Sequence, residues 1–298
     1  MMLRSNGINL EVSQQGAGAP ALVFLHYWGG SSRTWRHVIH ALTPDFRTVA
    51  IDQRGWGRSD APASGYALAD LADDAQGVVE ALDLERYILV GHSMGGKVAQ
   101  LMASRRLRGL VGLALVAPSP PSPLGLPLDV REAMVGAYGS RDSIIATVEQ
   151  VLAPNGLAAT DLEVVIEDSL AGAAVAKRAW PLCSSQEDIT TAVVQIDVPV
   201  IAISGENDRV DPPEVLRREL LTRIPQARLH VLPDIGHLSP LEAPDDIADL
   251  VRAFALATID AGASVSPVGK DVIRLRCPGC GTVLAAAARY RNDHPPQD

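Results

Sequence analysis

Val90-Gly91-His92-Ser93-Met94-Gly95-Gly96 is the stretch that decides how this chain folds. It has the form G-x-S-x-G, it follows the apolar run Tyr87 to Val90, and a helical pattern runs on from it to about Arg106. A serine on a sharp strand-to-helix turn is pushed above the sheet edge, and glycines are needed where a Cβ would crowd the turn. Ser93 then sits at a helix N-terminus, where the positive end of the dipole meets developing charge and the Met94 N–H can face a substrate oxyanion. The plainer alternative is a glycine-rich turn with a serine cap.

A serine hydroxyl is a weak nucleophile until a base takes its proton, and the base needs a carboxylate to fix its tautomer. Both are found downstream. Ile203-Ser204-Gly205-Glu206-Asn207-Asp208 follows an apolar strand and places Asp208 just past its C-terminal end, the edge where α/β sheets build their sites. Leu232-Pro233-Asp234-Ile235-Gly236-His237 follows another strand and places His237 at the same edge. Glu206, Asp208 and Asp211 crowd one loop. Asp208 is taken as the acid, Glu206 as a solvated side chain, and Asp211, before Pro212, as a helix cap. Of the other histidines, His37 and His40 lie in a helical stretch and His230 in a strand, and His92 is read as supporting the turn.

Working outward, Ile8 to Val12, Ala21 to Leu25, Arg47 to Ile51 and Tyr87 to Val90 read as strands, with helical stretches at Thr34 to Leu42 and Leu68 to Leu82. Leu110 to Ala117 is a continuous apolar run of the kind buried on both sheet faces. The rhythm stops at the proline-rich segment Pro118 to Pro127 and resumes at Val198 to Ser204, with Pro212 to Arg223, Ala227 to Leu232 and Ala243 to Thr258 giving α, β, α. The expected architecture is a mostly parallel α/β sheet. Residues 1–117 and 186–260 form its core, and 118–185 form a helical insertion placed as a lid. The apolar insertion residues Leu124, Leu126, Val135, Tyr138 and Trp180 are candidates for a substrate pocket and equally for the insertion's own packing.

The 298 residues are 47% hydrophobic and 20% charged, the composition of an ordinary folded chain, and the net charge of −9 disfavours nucleic acid or anionic lipid as partner. No apolar run approaches the ~20 residues of a membrane helix. Arg4, Ser5, Asn6 and Asn9 stand where a signal peptide carries its apolar centre, so a cytoplasmic protein is expected. Residues 261–298 change character and hold one C-x-x-C, Cys277 and Cys280, with His294 nearby. Four ligands close a structural zinc site, so a loosely docked tail is expected and no metal is assigned. Nothing in the sequence specifies an oligomeric state.

The segments His26-Tyr27-Trp28-Gly29-Gly30, Asp52-Gln53-Arg54-Gly55-Trp56-Gly57-Arg58-Ser59, Gly91 to Gly96, Gly205-Glu206-Asn207-Asp208 and Gly236-His237 resemble the α/β-hydrolase superfamily, in its order, over roughly residues 7 to 259. The resemblance implies a triad of Ser93, Asp208 and His237, in the chain order of that fold. It implies an oxyanion hole from the N–H groups of Trp28 and Met94, with Tyr27 standing where the family usually has glycine. Tyr27 and Trp180 are the candidate substrate-binding side chains. Relatives that open epoxides or haloalkanes carry aspartate at the elbow, so serine points to an acyl-enzyme on a small to medium carboxylic ester or lactone, without cofactor. The same triad is similar to that of cofactor-free perhydrolases (haloperoxidases) and of carbon-carbon bond hydrolases. A non-catalytic binding protein on this fold is the reading from another class.

Overall fold

Strand residues alternate between two buried faces, and that alternation organises the molecule. The structure, a computed structural model, describes residues 1–263, 273–276 and 283–286. Eight strands form one sheet: β1 (Met2–Ser5), β2 (Ile8–Gln15), β3 (Ala21–Leu25), β4 (Thr48–Ile51), β5 (Tyr87–His92), β6 (Leu110–Val116), β7 (Val200–Gly205) and β8 (Ala227–Leu232), in the order β1-β2-β4-β3-β5-β6-β7-β8. β1 and β2 run antiparallel and β2 is antiparallel to β4, while every later pairing is parallel. β1 has no counterpart in the strands read from the sequence; its MLRS carries too short a pattern to stand out from a polar N-terminus.

Val23, Leu25, Leu89, Leu113 and Leu115 face one apolar cluster, while Leu22, Phe24, Ile88, Val90 and Val116 face the other. Strands buried on both sides read as continuous apolar runs, and helices must then cover both faces. α1 (Arg36–Leu42) and α11 (Pro244–Ala263) lie on the second face through Val38 and Val251. α2 (Leu68–Ala81) and α3 (Met94–Ser104) cover the first through Val78 and Val98.

Between β6 and β7 the chain leaves the sheet and forms α4 (Leu128–Val135), α5 (Arg141–Thr147), a π-helical turn (Val148–Leu152), α6 (Ala159–Ala171) and α7 (Ala174–Leu182), then α8 (Thr190–Val193) before it returns. Short helices α9 (Pro213–Leu216) and α10 (Ser239–Glu242) follow β7 and β8. The helix expected over Pro212 to Arg223 is shorter than its pattern: α9 passes into a π turn at Arg217–Leu221. Residues 1–259 form one compact unit and 260–298 a second, in which β9 (Ile273–Arg276) pairs antiparallel with β10 (Val283–Ala286). Cys277, Cys280 and His294 lie outside the described residues. Among the described residues no helix is long and apolar enough to cross a membrane.

Candidate active site

β5 ends at His92 and α3 begins at Met94, so a single residue makes the turn. Ser93 has φ +51° and ψ −115°, a conformation that a side-chain-bearing residue holds only under strain of about 1–3 kcal/mol. The turn closes tightly because a Cβ on Gly91 would lie 2.5 Å from the Gly95 carbonyl oxygen, and one on Gly95 would press into the end of β3.

The structure brings together the three residues selected from the sequence. His237 Nε2 lies 2.9 Å from Ser93 Oγ, and His237 Nδ1 lies 2.9 Å from Asp208 Oδ2. All three are buried, at 5%, 2% and 3% exposure for Ser93, His237 and Asp208. Asp208 Oδ1 also accepts the N–H groups of Val210 at 2.8 Å and Asp211 at 3.0 Å, which fixes the carboxylate. Donation from Nδ1–H to the carboxylate leaves Nε2 free to accept the serine proton. Burial by itself would push the His237 imidazole down, but the Asp208 carboxylate, with Asp211 and Glu242 further out, holds it above the ordinary histidine range.

His92 is fully buried and ties the end of β5 to the loop that carries His237. Its Nε2–H donates to the main-chain carbonyl of His237 at 2.8 Å, and burial together with the neighbouring His237 keeps it neutral. Its Nδ1 has no partner among the described residues. His26 organises the loop after β3. The Gln53 N–H donates to its Nε2 at 3.0 Å, so Nδ1 carries the hydrogen and donates to the Tyr27 carbonyl at 2.7 Å. The Gln53 side chain donates to the His26 carbonyl at 2.7 Å. Asp52 accepts the N–H groups of Ser32 at 2.7 Å and Arg58 at 2.9 Å, which is how the 52–59 turn braces this edge.

Trp28 follows Tyr27 on that loop, and neither its N–H nor that of Met94 donates to another group among the described residues. Both candidate oxyanion donors are therefore unsatisfied by the protein. Trp28 lines a cavity of about 360 Å³ together with Ser93, His237, Tyr27, Ser119 and the insertion side chains Leu124, Leu126, Tyr138 and Trp180. Val135 is not among the lining residues. Val130 and Met134, four apart on the same helix, take its place. Val151 and Leu152, on the π turn, and Val210 also line it and were missed, because an apolar residue on an irregular turn carries no periodic signal.

Two acidic residues are placed differently from their sequence reading or beyond it. Asp211 does not cap a helix: α9 starts from Pro212, and the Asp211 carboxyl is buried, accepting from Ser119 Oγ at 3.2 Å. Burial pushes it up to about 7. Glu242, unremarked in the sequence, accepts the Gly236 N–H at 2.9 Å beside His237 and is likewise pushed up to about 7 by burial. Glu206 is exposed, as expected.

The comparisons with known proteins agree with this architecture. The model of the alpha/beta hydrolase family matches residues 22–250. A non-heme chloroperoxidase of Streptomyces lividans is 32% identical over 226 residues, covering 70% of this chain and 82% of that protein. A bifunctional esterase/perhydrolase of Acinetobacter calcoaceticus is 30% identical over 252 residues, covering 79% and 91%. Among solved structures, an esterase from Exiguobacterium antarcticum superposes with a TM-score of 0.79 at 22% identity, covering 86% of this chain and 98% of its own, a likeness of fold. With the family model spanning most of residues 1–259, this chain belongs to the alpha/beta hydrolase family and is a hydrolase enzyme.

Proposed function

We propose that this enzyme hydrolyses a small to medium carboxylic ester or lactone through an acyl-enzyme on Ser93. The observation that carries the reading is the unbroken chain from Ser93 Oγ through His237 to Asp208, with 2.9 Å at each link. His237 takes the serine proton as Oγ attacks the carbonyl carbon, and the oxyanion is received by the N–H groups of Trp28 and Met94. His237 then passes the proton to the leaving alkoxide. Water, deprotonated by the same imidazole, attacks the acyl-enzyme and releases the acid. Apart from substrate and water, every group these steps use is a residue of the chain. The helices between β6 and β7 act as the lid, and the apolar cavity of about 360 Å³ suits a short or medium acyl group with Tyr27 and Trp180 in its wall.

Perhydrolysis is the second reading, favoured by the similarity to the Acinetobacter esterase/perhydrolase. It differs only in that peroxide replaces water at the acyl-enzyme. A series of p-nitrophenyl esters of increasing acyl length, run with and without hydrogen peroxide, tests both against Ser93→Ala. Turnover that disappears in Ser93→Ala supports the acyl-enzyme, and peracid formed only with peroxide supports the second reading. No turnover together with no labelling of Ser93 by a fluorophosphonate would overturn the hydrolytic reading.

A further inference from the structure

We propose that Tyr138, on the lid, is a positioning residue for the Trp28 oxyanion donor, so that the lid completes the reactive geometry as well as walling the cavity. The inference rests on the acyl-enzyme reading above. Three successive carbonyls of the loop after β3 are each held by a donor. The Tyr27 carbonyl accepts from His26 Nδ1 at 2.7 Å and from the Gly30 N–H at 3.1 Å. Tyr138 Oη donates to the Trp28 carbonyl at 2.9 Å, and Ser169 Oγ donates to the Gly29 carbonyl at 2.8 Å. The first carbonyl is thus held from within the core, and the next two are held by lid residues 110 and 140 positions away in sequence.

The Tyr138 contact fixes more than one atom. Its ring lies 4.3 Å from the Trp28 ring, centroid to centroid, and it occupies the space that a Cβ on Gly29 would need. Gly29 has φ +104°, so the chain turns here in a way that relies on glycine. A trans peptide is planar, with its N–H directed opposite to its C=O. His26 therefore orients the plane that carries the Trp28 N–H, and Tyr138 fixes the plane that follows. With the planes on both sides of the Trp28 Cα held, the plane that carries the Trp28 N–H cannot rotate, and that N–H has no acceptor among the described residues. Burial raises the Tyr138 phenol well above its usual value, so it remains a donor at working pH. Ser31 Oγ and Arg33 Nε donate to Asp168 at 2.7 and 3.0 Å, tying the residues that follow to α6, the helix that also carries Ser169.

Catalysis is sensitive to the aim of an oxyanion donor because the hydrogen bond must be made to the position the oxyanion will occupy. Tyr138→Phe keeps the ring and removes only Oη. The expected result is a kcat about tenfold lower with KM within twofold, being a fraction of the 10² to 10³ lost when a whole donor is removed. The rate of Ser93 labelling by a fluorophosphonate falls in parallel. Affinity for a trifluoromethyl ketone, which forms an oxyanion on Ser93, falls by a similar factor, while affinity for the product acid is unchanged. Ser169→Ala gives the same split on a smaller scale.

If Tyr138→Phe keeps the parent's kcat and ketone affinity and only melts earlier, Tyr138 serves packing alone and the inference is overturned while the hydrolase reading stands. A parent enzyme that neither turns over esters nor labels at Ser93 would overturn both.

Discussion

The carbonyl of Leu152 accepts the main-chain N–H of His237 at 2.7 Å and that of Leu238 at 3.1 Å. The π turn between β6 and β7 therefore holds the loop that carries His237. The turn is closed by the Ala153 N–H, which donates to the Val148 carbonyl at 2.7 Å, with Ala153 at φ −142°. Ala153→Pro removes that donor and forces φ toward about −65°, so the Leu152 carbonyl should leave His237. A loss of about 10² in kcat is expected, the scale of a 1 Å misplacement in a reacting geometry. Single-turnover acylation measures it directly, and an unchanged acylation rate would show that the bond is dispensable.

Asp208→Asn should preserve the fold and remove the charge that fixes the His237 tautomer. The corresponding change in a serine protease lowers kcat by about 10⁴, and a similar fall is expected here. Labelling of Ser93 by a fluorophosphonate should slow to match. A loss of less than tenfold would move the acid's role to Asp211 or Glu242.

The pH profile carries a sign. The proposed mechanism needs neutral His237, whose value lies above the ordinary histidine range, so the acid limb of kcat/KM should have its midpoint above about 6.5. The buried Asp211 charge contributes to that elevation, and Asp211→Asn should shift the limb downward. Stability should respond in the opposite sense to an ordinary carboxylate. A carboxyl raised to about 7 by burial favours the folded state below its unfolded value and loses that contribution as pH rises through 7. Asp211→Asn should therefore melt higher than the parent at pH 8.5, with a smaller gain at pH 5. Equal gains at both would mean that Asp211 is not the titrating group.

Ser93→Gly removes both the nucleophile and the strain of a side chain at φ +51°. Activity should vanish and the melting temperature should rise by a few degrees, as about 1 kcal/mol corresponds to roughly 2–4 °C in a domain of this size. Calorimetry against Ser93→Ala, which retains the Cβ, separates strain from the loss of the hydroxyl. Equal melting temperatures for the two would place the strain elsewhere.

The sheet and the three residues that the structure brings together at its edge were legible because each carries a local signal: apolar runs for strands, and G-x-S-x-G, Gly205-Glu206-Asn207-Asp208 and Gly236-His237 at strand ends. What escaped was set by contacts between distant segments. Asp211 beside Pro212 has the local signature of a cap, yet tertiary packing turned it inward to Ser119. Val135, a candidate from the sequence, does not line the cavity whereas Val130 and Met134 do, because which face of α4 (Leu128–Val135) meets the cavity depends on how the segment between β6 and β7 docks. Leu152 acts through its carbonyl, and no side-chain pattern reports where a carbonyl points.

β6 and β7 are neighbours in the sheet, with Leu113 opposite Val200, although the whole excursion lies between them. Closing a longer loop is thermodynamically mild, since each doubling of its length adds only about 0.6 kcal/mol. The fold thus tolerates drift in the length and sequence of this segment without losing its sheet. In this chain, however, the same segment carries Tyr138 and Leu152, one hand on each reacting loop. A transplanted segment would reshape the pocket at little cost to folding, but it would need its own hydrogen bonds to the Trp28 and His237 loops to hold them as they stand here.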